Sequence, residues 1–321
     1  MKLVDTQPLY YNAPMRFLDR HKADKAGDAI FKGVSYFFAL FVMVLLAVIF
    51  IVLFIEAWPA IRKFGPGFIT STEWDPVALE FGALPAIYGT VVSSLIAIVI
   101  AVPISLGIAI YLTEMAPKRL KGPVGTAIEL LASIPSIIYG MWGLFIFAPF
   151  LSDYVEPFII DRLGFIPLFD GAPLGIGMLP AGFILAIMII PFISSVSRDV
   201  FHMVPPILKE SGYAVGATKW EVISRVVLPY TKSGIIGAVI LGLGRALGET
   251  MAVTFLIGNS HNISASLLDP ATSISATLAN EFTEAVEQVY LSSLVELGLL
   301  LFVITFVVLA LAKLLIARFS Y

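Results

Sequence analysis

The chain of 321 residues is 59% hydrophobic and 13% charged, with a formal net charge of −3 and no cysteine. A soluble domain carries about 25% charged residues, so the composition indicates a polytopic membrane protein and excludes disulfides, cysteine-ligated zinc and thiol catalysis. No basic footprint for nucleic acid is present, and His21, His202 and His261 stand in separate polar stretches, which gives no support to a histidine metal site or a Ser-His-Asp triad.

Residues 1–33 form a polar tail that carries Lys2, Arg16, Arg20, Lys22, Lys25 and Lys32. The tail and the apolar run after it are both too long for a cleavable signal peptide. The run over 34–57 is long enough to cross a bilayer with some tilt, and Glu56, Trp58 and Pro59 read as interfacial anchors and a helix stop. A loop rich in Gly, Pro, Trp and acid (Glu73, Asp75, Glu80) leads to a second span over 85–112, which Pro103 is expected to kink.

After a short basic turn with Lys118, Arg119 and Lys121, a third span is expected over 124–149. It contains Glu129 and the sequence Ala132-Ser133-Ile134-Pro135-Ser136, where the proline frees a backbone carbonyl that serine hydroxyls can take. An acidic loop over 150–176 precedes a fourth span over 177–196, interrupted by Pro180 and Pro191. The least hydrophobic interior stretch, 197–232, then leads to spans over 234–257 and 291–316.

Basic residues alternate between the two sides. The tail, the second loop, the fourth loop and the C-terminal end (Lys313, Arg318) are basic, whereas the first, third and fifth loops hold only Arg62, Lys63 and Arg162. The positive-inside rule therefore puts both termini in the cytoplasm. Arg245 is the one basic residue well inside a predicted span. Counted from Gly234 at about 1.5 Å per residue, it lies roughly 16 Å deep, near the middle of a hydrocarbon core about 30 Å thick.

Arg245 belongs to the run Gly242-Leu243-Gly244-Arg245-Ala246-Leu247-Gly248-Glu249-Thr250. On a continuous helix Arg245 and Glu249 share one face a turn apart and can reach each other. An arginine at mid-span costs roughly 2.5–3.5 kcal/mol on insertion scales and normally faces a bundle interior or a watery path, with a partner. The pair thus reads either as an anion path with its own counter-charge or as an ion pair locking the helix to its neighbours. Gly244 and Gly248 form a small-xxx-small pair suited to close helix packing. Ser136 and Tyr139, beside the Pro135 break, either line the path or bond to backbone.

The stretch 197–232 has helix formers bracketed by Pro205-Pro206 and Pro229, which suits a docking loop better than a linker. Its spacing is Glu210-Ser211-Gly212, three residues, Gly216, eleven residues, then Leu228-Pro229. This resembles the signature of ABC importer permeases, although Ser211-Gly212 replaces two alanines. In that family the loop seats in a cleft of the ATPase subunit, and Glu210 and Gly216 match its two marker positions. No Gly-x-x-x-x-Gly-Lys-Ser/Thr phosphate loop occurs, so ATP and Mg are expected on a separate ATPase, with no cofactor in this chain.

The runs Glu129 through Gly143 and Gly242 through Phe255, with Ala279-Asn280-Glu281-Phe282, resemble the C-subunit permeases of phosphate-specific ABC transporters. The resemblance covers essentially everything after the tail. It implies an all-α type I ABC importer permease with six transmembrane helices over 34–321 in a bacterial inner membrane, a transport subunit and not an enzyme. Its implied partners are a homologous A-subunit permease, two copies of an ATPase and a periplasmic phosphate-binding protein, and its implied intramembrane arginine and glutamate are Arg245 and Glu249. The helical-looking 273–289 and the acidic outer loops are expected to touch the binding protein. Two competing readings are a permease for another oxyanion, such as molybdate or sulfate, and an ion-coupled secondary transporter. The first is not expected to carry the Arg-Ala-Leu-Gly-Glu-Thr run, and the second has no reason to carry the loop from Glu210 to Pro229.

Overall fold

The computed structural model describes the backbone of residues 15–319 and the side chains of residues 27–314; the first part of the tail, with Lys2, lies outside the described residues. The chain divides into two compact units, residues 1–52 and 53–321. In the first unit the described residues form the N-terminal part of one long helix, on which Phe37 and Phe41 stack a turn apart. The tail expected over 1–33 is therefore helical from Met15 onward.

Besides a single helical turn at Gly67–Thr70, the helices are α1 (Met15–Phe64), α2 (Leu84–Met115), α3 (Lys118–Ala132), α4 (Ser136–Leu163), α5 (Met178–His202), α6 (Pro206–Ala214), α7 (Lys219–Leu247), α8 (Met251–Thr254), α9 (Ile274–Glu281) and α10 (Gln288–Phe319). Among the described residues six of these, α1, α2, α4, α5, α7 and α10, are long and apolar enough to cross a membrane. A two-stranded antiparallel hairpin, β1 (Trp74–Asp75) and β2 (Glu80–Phe81), sits between α1 and α2.

Pro180 and Pro191, expected to interrupt the fourth span, lie within the continuous helix α5, and the prolines act differently from the expectation in three further places. Pro59 does not stop α1, which runs on to Phe64. Pro135 does break its helix, because a residue preceding proline is pushed out of the helical region; the third crossing therefore starts at Ser136 and continues to Leu163, leaving α3 as a separate amphipathic helix. Much of the acidic loop expected over 150–176 is thus helix, carried by π turns at Gly143–Phe147 and Leu151–Val155. Pro229 lies inside α7, directly after a π turn at Ile223–Val227. There the wider i→i+5 pattern absorbs a residue that cannot donate, and the helix passes through.

α5 is the hub of the second unit. Its most apolar window is 61% buried, against 22–28% for α2, α4, α7 and α10. Ala97 and Ala101 of α2 share one buried cluster with Ala181, Ile184, Leu185, Ala186 and Ile189 of α5. Gly182 allows the closest approach, since a Cβ there would stand 2.6 Å from Ile96. Small residues let backbones meet where lipid offers no hydrophobic drive. The Ser105 hydroxyl of α2 donates to the Ile190 carbonyl at 3.2 Å, beside Pro191 in α5.

Gly89 of α2 faces the chain just before α9, where an added Cβ would overlap the Thr272 carbonyl oxygen. Overpacking of this kind costs about 1–3 kcal/mol. Gly89→Ala is expected to lower the melting temperature of the detergent-purified protein, whereas Gly107→Ala on the same helix, which meets open space, does not lower it.

Candidate functional site

α7 ends at Leu247, and the chain crosses Gly248, Glu249 and Thr250 before α8 begins at Met251. Arg245 consequently lies in the last turn of α7. Its half-buried guanidinium stands 6.0 Å from the ring centroid of Phe192 on α5 and is within electrostatic reach of Tyr139. Among the described residues it has no ion-pair partner. Glu249 accepts a long bond of 3.4 Å from the Ala252 N–H at the first turn of α8, and its carbonyl accepts the Ser275 hydroxyl at 2.7 Å.

The expected contact between Arg245 and Glu249 is therefore not made. The i,i+4 geometry requires helix through both positions, and the helix stops between them. Arg245 lies in the last turn of one helix, and Glu249 accepts from backbone at the start of the next. A helix C-terminus carries partial negative charge and an N-terminus partial positive charge.

Tyr139 is committed to backbone, its hydroxyl donating to the Leu131 carbonyl at 2.9 Å. That carbonyl is the one Pro135 cannot serve, being four residues before it. The serine compensation expected there falls to Ser133, which donates to the Leu130 carbonyl at 2.7 Å. Ser136 is half-buried at the first position of α4. The two glycines part company: Gly244 packs on Leu309 of α10, whereas a Cβ at Gly248 would meet only the Gly244 carbonyl of its own chain segment. Gly248 instead lines an open groove of about 560 Å³ with Thr250, Ser275, Leu278, Leu294 and Gly298.

Sequence reasoning missed three residues here. Phe192 and Ser275 are ordinary apolar and polar residues until the fold brings them to the break. Glu296 on α10 is 6% exposed, with Oε2 buried and unbonded among the described residues. A lone carboxylate in an apolar span was a readable signal, but a charge count limited to lysine and arginine passes over it.

On the loop between α5 and α7, Glu210 and Ser211 are exposed on α6, and Ser211 donates to the Ile207 carbonyl at 2.7 Å. Gly212 faces Val222, and Gly216 adopts φ +86°. Ile207 (64%), Val215 (86%) and Trp220 (65%) present exposed apolar side chains around these positions. The Lys209 ammonium ties α6 to Glu114 at the end of α2, 2.6 Å away. Thr218 and Glu221 form a capping box that starts α7, and Leu228 packs with Ala109 and Phe201.

On the side of the hairpin, side chains from three other segments converge on Glu281 at the end of α9. The Trp74 indole N–H and the Tyr290 hydroxyl donate to its Oε2 at 2.8 and 2.6 Å, and His261 Nε2 lies 2.9 Å from Oε1. The Trp74 and His261 rings stack at 5.0 Å with 4° between their planes.

Residues 102–321 match the family of binding-protein-dependent transport system inner membrane components. Over 295 residues the chain is 59% identical to the phosphate transport system permease protein PstC of Mesorhizobium japonicum, covering 91% of this chain and 90% of that one. It is 55% identical to PstC of Haemophilus influenzae, covering 91% and 93%. Among solved structures, a bacterial ABC transporter involved in import of the acidic polysaccharide alginate aligns with TM-score 0.57 at 18% identity, over 91% of this chain and 100% of that one. The MetNI methionine ABC transporter aligns with TM-score 0.56 at 16% identity, over 78% and 100%. At such identities these two establish the shared fold.

Burial pushes the Glu281 carboxyl up, but the hydrogen bonds from His261, Tyr290 and Trp74 outweigh it and hold the group below the usual carboxylate range. A depressed folded pKa contributes stability that is present above the unfolded value, near 4.3, and lost as pH falls through the folded value. The tryptophan emission of the purified permease is expected to stay constant from pH 7 to about 5 and to shift only at or below the ordinary carboxylate range. Glu281→Gln should remove that acid transition; persistence of the transition in the variant would assign it to another group.

Proposed function

The chain belongs to the binding-protein-dependent transport system inner membrane component family, and on that premise we propose that it is the permease subunit of an ATP-driven phosphate importer. It is a multi-pass inner-membrane transport subunit and not an enzyme. The observation that carries the substrate reading is the half-buried guanidinium of Arg245, which has no counter-ion among the described residues.

A guanidinium meets two phosphate oxygens with parallel hydrogen bonds and stays protonated at every physiological pH. Its present neighbour, the Phe192 face, offers about 0.5–2 kcal/mol of cation–π attraction, weaker than a charge-assisted bond. Phosphate can therefore engage Arg245 without displacing a carboxylate. Glu249, a few residues further on, opposes anion residence, so the site binds without trapping. Ser136 and Tyr139 belong to the wall of this path, Tyr139 through its position beside Arg245 and not through its committed hydroxyl.

In the assembly we infer, a homologous A-subunit permease supplies the other half of the path. Two ATPase copies, binding ATP and Mg, seat on the loop carrying Glu210, Ser211, Gly212 and Gly216, and a periplasmic phosphate-binding protein delivers the substrate. The permease domain comprises residues 34–321, and both termini are cytoplasmic. Three inter-span segments, 65–83, 164–177 and 248–287, contain no lysine or arginine, while Lys118, Arg119, Lys121 and Lys209 lie in the alternate segments, which supports this orientation. Leu228 and Pro229 transmit from the docking loop as part of α7, and Gly244 and Gly248 give that helix its close contact and its end.

Arg245→Ala should abolish ATP-dependent phosphate uptake by the reconstituted complex while leaving ATPase association intact. Arg245→Lys should retain only part of it, having lost the paired donors. Near-normal uptake by Arg245→Ala at low external phosphate would remove the arginine from the mechanism, and uptake of labelled sulfate or molybdate in preference to phosphate would replace the substrate. At the docking loop, Gly216→Ala forces a side chain into a left-handed conformation at about 1–2 kcal/mol and is expected to weaken co-purification of the ATPase. Gly216→Asn, which tolerates that conformation, should weaken it less.

A further inference from the structure

We propose that α9 is a strut that relays the seating of the binding protein on the outer surface to the helix break between Arg245 and Met251, with Glu281 as its outer pin and Ser275 as its inner pin. This rests on the reading of the chain as a binding-protein-dependent permease. Glu281 and Ser275 are positioning residues, since neither is asked to touch the substrate.

Both ends of α9 are tied, and to different things. At the inner end the Ile274 N–H donates to Thr90 of α2 at 2.9 Å, Ser273 caps the Ala276 N–H at 3.1 Å, and the Ser275 hydroxyl donates to the Glu249 carbonyl at 2.7 Å. At the outer end the Glu281 carboxylate gathers Trp74 from the hairpin, His261 from the segment after α8 and Tyr290 from the start of α10. The helix between is eight residues, about 12 Å of α-helix, too short to bend appreciably. A tilt at one end therefore moves the other.

The outer pin is placed to be moved. Its Trp74 partner belongs to a hairpin whose tip is open, Val77 being 94% exposed, so a protein landing there displaces the indole first. Bonds to a carboxylate are stronger than neutral ones, so motion of the indole is transmitted before the bond yields. His261 Nδ1 is buried without a hydrogen-bond partner among the described residues. A buried unbonded ring nitrogen is costly, which favours a second arrangement in which the ring shifts and that nitrogen finds a partner. The inner pin acts on the backbone of Glu249, which lies within the break a turn beyond Arg245.

The test uses the full complex of permease pair, ATPase and phosphate-loaded binding protein in proteoliposomes, with basal and binding-protein-stimulated ATP hydrolysis measured separately. Glu281→Gln and Ser275→Ala are each expected to lower the maximal stimulated rate about ten-fold, the effect of one weakened bond to a charged or tightly placed group. Basal hydrolysis and the half-saturating concentration of binding protein should be unchanged. Because both pins serve one relay, the double variant should fall no further than either single one. Tyr290→Phe and Trp74→Phe, which each delete one donor and keep a ring, should give intermediate losses and serve if Glu281→Gln does not assemble. Unchanged stimulation in the variants, additive losses in the double variant, or a parallel fall of basal rate and melting temperature would each overturn the strut. A wild-type complex that shows no stimulation by the binding protein would instead overturn the permease reading on which it rests.

Discussion

The interruption of α7 at Gly248 to Thr250 is the constraint on which the rest of the site depends. Had the helix continued, Arg245 and Glu249 would have met a turn apart and neutralised one another. An arriving anion would then have had to displace a carboxylate from a guanidinium in a poorly hydrated setting, where ion pairs are strong. With the helix ended, Arg245 lies at the carbonyl end of α7 and Glu249 beside the first N–H groups of α8. Backbone dipoles of this kind contribute about 0.3–1 kcal/mol, enough to help hold the charges and little enough to release them.

The break is held from outside by packing that sequence position alone does not reveal. Ser275 bonds to the Glu249 carbonyl, Gly140 of α4 lies against Ala252 and Phe255, and Gly244 seats α7 on Leu309 of α10. α5 is the fixed element behind these contacts, presenting Phe192 toward the arginine while its small residues lock onto α2. Membrane helices tolerate broken segments only where neighbours satisfy the freed backbone groups. Here Tyr139 and Ser133 do so at Pro135, as Ser275 does at the second break.

The same element joins the loop proposed to seat the ATPase to Arg245. α7 begins in the capping box of Thr218 and Glu221, next to the loop bearing Glu210 and Gly216, and reaches Arg245 as uninterrupted helix. The 26 residue steps from Lys219 to Arg245 span roughly 39 Å at about 1.5 Å each. Absorption of Pro229 by a π turn makes this link longer than a helix beginning after the proline would have been. Lys209 and Glu114 add a second tie, from α6 to the end of α2, so that the loop bearing Glu210 and Gly216 is braced against two spans.

By itself the sequence determined the properties that are local and additive: an all-helical membrane chain, six crossings, a lone arginine in an apolar run, the motif spacing of the loop before α7, and a family resemblance carried by contiguous runs. Hydropathy, charge alternation and motif spacing are summed along the chain, so no contact needs to be known to read them. Only the tertiary structure decided which prolines break a helix, since Pro135 and Pro229 look alike in sequence and differ in whether neighbouring groups and a π turn compensate. It likewise decided that Arg245 and Glu249 stand apart, that Gly244 packs while Gly248 faces a groove, and that Trp74, His261, Glu281 and Tyr290 meet. These depend on contacts between residues distant in sequence, and a helical periodicity carries no information about where a neighbouring chain segment makes the helix stop.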